Sequence, residues 1–352
     1  MPGRRHAVVA YLRGAAGLSS TSSSDPDFHS SGDHFFTVRG ALVRLIGLGS
    51  AGLAVCTLLY FVAPYNRFAE TTTHFVTWYA SFGAIGFAVS LALRERKTAV
   101  LCLAFTLFYL TLIVPWYWPG RNLAAINEPN VRVLTANLLS INEEAELLLD
   151  LVESSDPDVI VLQELSPMWI RALAPLRETH KFHVERGRSD HFGIGTYSRI
   201  PLENAEVFNL ADARYPAIRA DIQVNGRLVS VLNMHTVPPL TADLFTIRNE
   251  QLEAAAMFAD AADDLTIVAG DLNITMWSPY YRKLETDSEL RNVRRGFGII
   301  PTWPANLPLF KIALDHVLVS QDIFVIDLER GTDIGSDHLP LIADLFVPAR
   351  DS

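Results

Sequence analysis

The chain has 352 residues and a mean hydropathy of +0.20, which is long enough for more than one structural unit and too apolar for an ordinary soluble enzyme. Residues 1–120 carry nine Lys/Arg against five Asp/Glu and the remainder carries 20 against 34; so acidic a second part repels the phosphates of nucleic acid at long range and weighs against a non-specific DNA binder. Both cysteines, Cys56 and Cys102, fall in the apolar part, which excludes a disulfide framework or a cysteine metal site in the rest.

Residues 1–40 are polar, with an unbroken Ser/Thr run at 19–24, and read as a disordered tail. Residues 41–118 contain three uncharged apolar runs, 45–63, 75–93 and 99–118. Each has about 19–20 residues, the length of a helix that crosses a hydrocarbon core of about 30 Å. Soluble helices rarely stay apolar on every face, and the first run is too long and too far along the chain for a signal peptide. Three transmembrane helices follow. Arg4, Arg5, Arg13 and Arg39 precede them, Arg94, Arg96 and Lys97 lie between the second and third, and only Arg67 separates the first two. The positive-inside rule then puts the N-terminus in the cytoplasm and, after three crossings, the remainder outside. Trp116, Tyr117 and Trp118, with Tyr60, Phe61 and Tyr65, fit an aromatic belt at the outer interface. Residues 119–130, rich in Pro, Gly and Asn, read as a linker.

From residue 131 strands and helices alternate. Strands are expected at 131–136, 158–162, 193–197, 217–224, 227–234, 265–269, 313–319, 324–328 and 339–346. Asn225 and Gly226 mark a hairpin. Helices are expected from the cap Asn142 to about 153, from Ser166 and Pro167, over 241–260, and from Ser278 and Pro279. Roughly ten strands and four helices, many joined by hairpins, fit two packed sheets with helices outside better than one doubly wound sheet.

Several strands end in polar residues that a core has no use for: Asn137; Gln163 and Glu164; Asn233 and His235; Gly270, Asp271, Leu272 and Asn273; Asp315 and His316; and Ser336, Asp337, His338, Leu339 and Pro340. Singly, each passes for a turn residue or a satisfied polar group. Together, six polar strand ends can converge at one edge of the sheets. Arg248 and Gln251, one helical turn apart, are candidates to reach a phosphate or a solvated helix face. Trp277 and Trp303 suit a substrate groove or simple packing, and Arg199 a buried carboxylate. His316 points away from Asp315 and suits a structural role.

The order Asn137, Gln163-Glu164, Asn233-x-His235, Gly270-Asp271-Leu272-Asn273, Asp315, Ser336-Asp337-His338-x-Pro340 resembles the endonuclease/exonuclease/phosphatase (DNase I-like) superfamily, over about residues 131–348. The resemblance implies a four-layer α/β sandwich and hydrolysis of a phosphoester with Mg²⁺, Mn²⁺ being an alternative. It implies Glu164 as main metal ligand, with Asp337 and Asn137 near the metal. Asp271 and Asn273 would orient water or phosphoryl oxygens. His338, held by Asp315, would be base or electrostatic partner, and His235 would donate to the phosphate or leaving oxygen. Related nucleases carry an acid two positions after the Asn; Leu139 stands there instead, which argues against a two-metal arrangement and a DNA-repair role. The three spans resemble a membrane-anchored bacterial branch, which implies a multi-pass protein of the cell (inner) membrane, bilayer contact through the spans, and an extracytoplasmic domain acting on an envelope phosphate ester or lipid pyrophosphate. Alternatives are an extracytoplasmic DNase-like nuclease and a membrane-tethered binding module without catalysis.

Overall fold

The computed structural model describes residues 38–118, 128–211 and 214–350. The expected tail lies outside the described residues except for its last three positions, which are helical, and so does most of the expected linker. Internal contacts divide the chain into 1–42, described only in the opening of the first helix, and 43–352, which holds everything else.

The N-terminal helices are α1 (Val38–Val62), α2 (Arg67–Thr72), α3 (Val76–Ala92) and α4 (Arg96–Ile113). With their 3-10 extensions they form three rods, Val38–Tyr65, Arg67–Ala92 and Arg96–Trp116, each long and apolar enough to cross a membrane. No more than 22% of the most apolar stretch of any rod is buried, so these are not core helices of a soluble body. The second rod begins at Arg67 rather than residue 75 because Asn66 caps α2, its Oδ1 accepting the Phe68 and Ala69 N–H groups. This extends the apolar span by a polar turn that carries Glu70 and His74.

The remainder forms two six-stranded sheets. The elements in order are β1 (Val131–Asn137), α5 (Ala145–Ser155), β2 (Val159–Gln163), α6 (Pro167–Ala172), α7 (Leu176–Thr179), β3 (Phe182–Arg186), β4 (Ile194–Ser198), β5 (Glu203–Asn209), β6 (Pro216–Val224), β7 (Arg227–Met234), α8 (Ala242–Asp260), β8 (Leu265–Asp271), α9 (Pro279–Ser288), β9 (Arg291–Asn292), β10 (Asp315–Val319), β11 (Phe324–Arg330) and β12 (Leu341–Phe346). The sheet orders are β11-β12-β1-β2-β4-β3 and β5-β6-β7-β8-β10-β9. The pairs β1–β2 and β7–β8 are parallel, each joined through a helix. The chain reversal at Asn225 and Gly226 has positive φ at both positions, as a tight hairpin between twisted strands requires.

Strand periodicity explains the layering. Val131, Val133, Val159 and Val161 face Val229, Val231, Ile267 and Val317 across the space between the sheets. On the outer face of the first sheet Leu134, Ile160 and Leu162 pack on Leu148, Leu151 and Trp169 of α5 and α6. On the outer face of the second, Leu232, Val268 and Leu318 pack with Leu252, Ala255, Tyr281 and Leu284 of α8 and α9. The result is the expected four-layer sandwich of helices, sheet, sheet and helices. Ser166, Thr241 and Ser278 cap α6, α8 and α9 as anticipated. Asn142 does not cap α5 directly: its amide bonds the Leu138 and Ile334 carbonyls, and the helix starts at Ala145.

Between the sheets lies a polar stitch. Gln163 donates to Asn233 Oδ1 at 2.9 Å, and Asn233 donates to the Gly195 carbonyl at 2.8 Å. Both side chains are fully buried, so Asn233 serves the junction of the two sheets.

Candidate active site

The strand register brings the acids together. Asp271 ends β8 directly opposite Asp315, which opens antiparallel β10. Asn137 ends β1 beside Gln163, one residue before Glu164. Asp271 Oδ2 is the meeting point: Asn137 Nδ2 donates to it at 3.1 Å, and the Nε2 atoms of His235 and His338 lie 3.5 and 3.6 Å away. Asp271 Oδ1 accepts the Asn273 N–H at 2.9 Å. His338 Nδ1 lies 2.9 Å from Asp315 Oδ2. The Asn137 amide also donates to Glu164 Oε1 at 3.2 Å, while Glu164 Oε2 accepts the Ser140 N–H at 3.0 Å. Asp337 Oδ2 accepts the Trp303 indole N–H at 3.0 Å. Ser336 fixes the last loop by donating to the Asn137 carbonyl and accepting the His338 N–H.

Backbone strain gathers here. Leu139, Glu164, His191 and Asn273 all have left-handed φ, between 46° and 67°. For an L residue this costs roughly 1–2 kcal/mol each, and such strain concentrates at sites that over-determine it. Gly270 has φ +141°, and a Cβ there would lie 1.9 Å from the Met234 carbonyl oxygen. The residue before Asp271 must therefore be glycine if β7 and β8 are to close on each other.

The electrostatics are set by burial and pairing. Burial by itself would lower the His338 pKa, but the carboxylates of Asp315 and Asp271 outweigh it and push it up to about 10. Burial by itself would raise Asp271; His338 and His235 outweigh it and hold Asp271 down at about 2. Both shifts favour the charged pair of His338 imidazolium and Asp271 carboxylate. His316, on the opposite face of β10, is held neutral by burial and by Arg294, with a pKa of about 3. It bonds Asn292 and the Ile274 carbonyl, the structural role expected of it.

The profile of the Endonuclease/Exonuclease/phosphatase family matches residues 134–338, more than half of the chain. The chain belongs to this family. Solved structures with the same fold include a family member from Bacteroides vulgatus (17% identity, TM-score 0.53, covering 62% of this chain and 99% of that one). A humanized D. rerio TDP2 is similar at 17% identity and TM-score 0.52, over 61% of this chain and 98% of its own. A functionally unknown protein from Enterococcus faecalis V583 follows at 16% identity and TM-score 0.50, over 62% and 100%. A search of curated proteins returns no match.

Members of this family are phosphoester hydrolases that commonly use a divalent metal, and the side chains here fit one. The donors are carboxylates with no thiol among them, the set a hard ion prefers. Glu164 and Asp337 both line the cavity described below, and Asp315 Oδ1 is buried without a hydrogen-bond partner. Ligand atoms of Asp271, Asp315 and His338 come within 4.8 Å of one another. Because both His338 nitrogens face carboxylates, that trio is better described as an ion-pair triad, which leaves Glu164 and Asp337 as the further carboxylates on the cavity that could hold an ion.

The cavity measures about 520 Å³ and is lined by Glu164, His235, Asp271, Asn273, Asp337 and His338 among others. Six of the anticipated residues therefore share one space. Asn137, expected near the metal, ties Glu164 to Asp271: its NH₂ donates to both carboxylates and its oxygen accepts the Leu139 N–H at 3.0 Å. Two expectations, Arg248 and Gln251, need correction. Arg248 was expected to reach a phosphate, yet it is fully buried, its Nη2 3.1 Å from Glu70 Oε1 and its Nη1 donating to the Asn273 carbonyl. Gln251 is likewise buried and accepts the Val237 N–H. Trp303 lines the cavity, Trp277 packs by donating to the Leu112 carbonyl, and Arg199 pairs with Asp156.

Sequence reasoning missed His191, whose Nδ1 lies 3.0 Å from Glu164 Oε2 and also contacts Ser140, because it sits in a loop with no pattern. It also missed Thr71, His74 and Phe75, which line the same cavity as the acids. An acid and an imidazole at i and i+4 in an apolar helix, Glu70 and His74, were a readable signal, since ionisable groups at membrane helices rarely lack a task. Ser278 donates to Glu70 Oε1 at 2.7 Å and His74 Nδ1 lies 2.9 Å from Thr275 Oγ1.

Proposed function

We propose that the protein is a membrane-anchored, Mg²⁺-dependent phosphoester hydrolase (Mn²⁺ serving as a substitute ion) that acts outside the membrane on a lipid-linked phosphate or phosphodiester. The observation that carries this reading is the convergence on Asp271 Oδ2 of Asn137, His235 and His338 within 3.1–3.6 Å, in the cavity that Glu164 lines.

Each side chain then has a task its contacts suit. A divalent ion held by Glu164, with Asp337 beside the same cavity, would supply Lewis acidity to a phosphoryl oxygen. Asp271, ionised, accepts a hydrogen bond from the attacking water and orients it; its lowered pKa makes it a weak base, so the proton the water loses passes to a phosphoryl oxygen. Asn273 fixes that carboxylate through its own N–H. His338, kept cationic and oriented by Asp315, donates from Nε2 to the phosphoryl oxygen that gains charge. His235 donates to the phosphate or to the leaving oxygen. Asn137 holds Glu164 and Asp271 at a fixed separation.

Anchoring is supported by where the second part rests. Tyr60 and Pro64 at the end of the first rod, Glu70 and His74 at the start of the second, and Leu112 and Trp116 at the end of the third all contact it. These positions share one side of a three-helix bundle, and Arg94, Arg96 and Lys97 occupy the other, so the positive-inside rule favours an outward domain. A compartment reporter fused after Ser352 tests this; activity only of a cytoplasmic-type reporter would reverse it.

The function is tested with full-length protein in detergent and Mg²⁺, offered a generic phosphodiester, a lipid pyrophosphate and plasmid DNA, beside His338→Ala and Glu164→Ala. We expect lipid hydrolysis, lost in both variants with folding retained. Plasmid nicking without lipid turnover would reassign the protein as a nuclease. No turnover of any substrate across a metal titration would leave a binding module.

A further inference from the structure

The cavity is not walled by the catalytic body alone. Thr71, His74 and Phe75, from the second apolar rod, also line it. That rod has 26 residues, about 39 Å of helix against a hydrocarbon core of about 30 Å. Arg94, Arg96 and Lys97 follow its far end and hold that end among headgroups. The surplus therefore falls at the near end. Arg67–Thr72 stands in the interface and Phe75 sits at the edge of the hydrocarbon.

One turn deeper, Trp78 stacks on Phe310 of the catalytic body, ring centroids 4.7 Å apart and planes 16° from parallel. The turn that carries Phe310 therefore touches the rod one helical turn past Phe75. Leu307, Leu309 and Phe310 are 50%, 78% and 56% exposed, and Leu240, on the cavity wall, is 77% exposed. Large apolar side chains clustered beside a membrane helix mark contact with lipid rather than water. Two residues beyond Phe310, Ile312 already lines the cavity. Apolar side chains thus mark a path from the second rod into the cavity: Phe75 and Ile312 line the cavity itself, and Phe310, two residues before Ile312, meets the rod at Trp78.

We infer that this path is a lipid-chain subsite: the hydrocarbon chain of the substrate stays in the bilayer and leaves the cavity between Phe75 and the turn at Pro308–Phe310, past Leu240, while its phosphate meets Glu164 and Asp271. The inference rests on the hydrolase reading of the same site and adds to it the chain that must be attached to the phosphate and the residues that select it. The occupant is an acyl or prenyl chain because one end of the path is apolar and continuous with the spans and the other is built for a phosphate. A headgroup detached from its lipid would use only the polar end.

The test uses full-length protein in nanodiscs and two phosphodiesters sharing the same head, one on a long membrane-resident chain and one on a short water-soluble chain. Wild type should prefer the long chain. Leu309→Asn and Leu240→Asn, both at exposed positions that fold without them, should lower the ratio of long-chain to short-chain kcat/KM at least tenfold, mainly through KM. A binding readout runs beside it: a long-chain lipid phosphate with a diazirine in its chain should crosslink to peptides containing Phe75 or residues 307–312, and excess unlabelled lipid phosphate, but not inorganic phosphate, should suppress it. An unchanged ratio with short-chain activity intact, or crosslinks confined to other surfaces, would overturn the subsite and leave the hydrolase standing. Absence of turnover of both substrates by wild type would remove both.

Discussion

Glu70 and Arg248 join the membrane rods to the catalytic body, and breaking that pair offers the sharpest physical test of how the two are held together. Both side chains are 0% exposed, with Glu70 Oε1 3.1 Å from Arg248 Nη2 and accepting the Ser278 hydroxyl at 2.7 Å. Glu70→Ala leaves a guanidinium buried without its counterion, a loss of about 3–5 kcal/mol. It also strands the Ser278 hydroxyl, for about 1 kcal/mol more. Glu70→Ala should therefore lose about 4–6 kcal/mol, while Glu70→Leu combined with Arg248→Met, which removes both charges and fills the space, should recover most of it. Because Arg248 also supports the Asn273 carbonyl, activity should fall with stability in Glu70→Ala. The assay is equilibrium unfolding in detergent micelles of wild type, Glu70→Ala, Glu70→Leu, Arg248→Met and the Glu70→Leu/Arg248→Met double variant. A loss below about 1 kcal/mol in Glu70→Ala, or a double variant no more stable than its parents, would refute the claim that this pair docks the two parts.

Other outcomes follow from the site. In metal-free protein, the raised His338 pKa contributes stability that is complete below the unfolded value near 6.5 and is lost as pH rises through about 10; His338→Gln should flatten the thermal midpoint across that window, and a parallel curve would contradict the ion-pair triad. Asp271, lowered to about 2, contributes stability above its unfolded value that disappears as pH falls through about 2, so acid unfolding of Asp271→Asn should be less steep there. Asp315→Asn should cut kcat by at least about 100-fold with little change in KM; unchanged kcat would remove Asp315 from the orientation of His338. Asn233→Leu, which unpairs Gln163 between the sheets, should cost about 1–3 kcal/mol in denaturant midpoint without shifting the pH profile.

The sandwich was legible because its central strands are buried on both faces and read as near-continuous Val, Ile and Leu, as in β2 and β8. The strands overlooked, β3, β5 and β9, are all sheet edges; β3 and β5 are half-exposed to exposed and lack a buried face, and β9 has only two residues, so none carries the pattern. Glu164, Asp271, Asp315 and His338 were readable because polar residues at the ends of apolar strands are anomalous. Arg248 misled for a related reason. A cation on a helix face looks solvated or ligand-binding until its partner is known, and Glu70 lies 178 positions earlier in the chain, a pairing no local pattern encodes. The cavity's membrane-side wall was hidden by the same long-range closure.

The Trp116 carbonyl accepts two amides at once, those of Gly296 and Gly298, each at 2.9 Å, and Arg295 lies over its ring at 4.6 Å. Together with the tie at Glu70, this joins the body to the second and third rods at two separate points, which restricts swivelling about either one. In a bilayer such a mount behaves as a fixed-height gauge. Two molecules bearing the same scissile bond would be sorted by how far that bond stands above the headgroup plane, a selectivity that lies in the mounting as well as in the cleft.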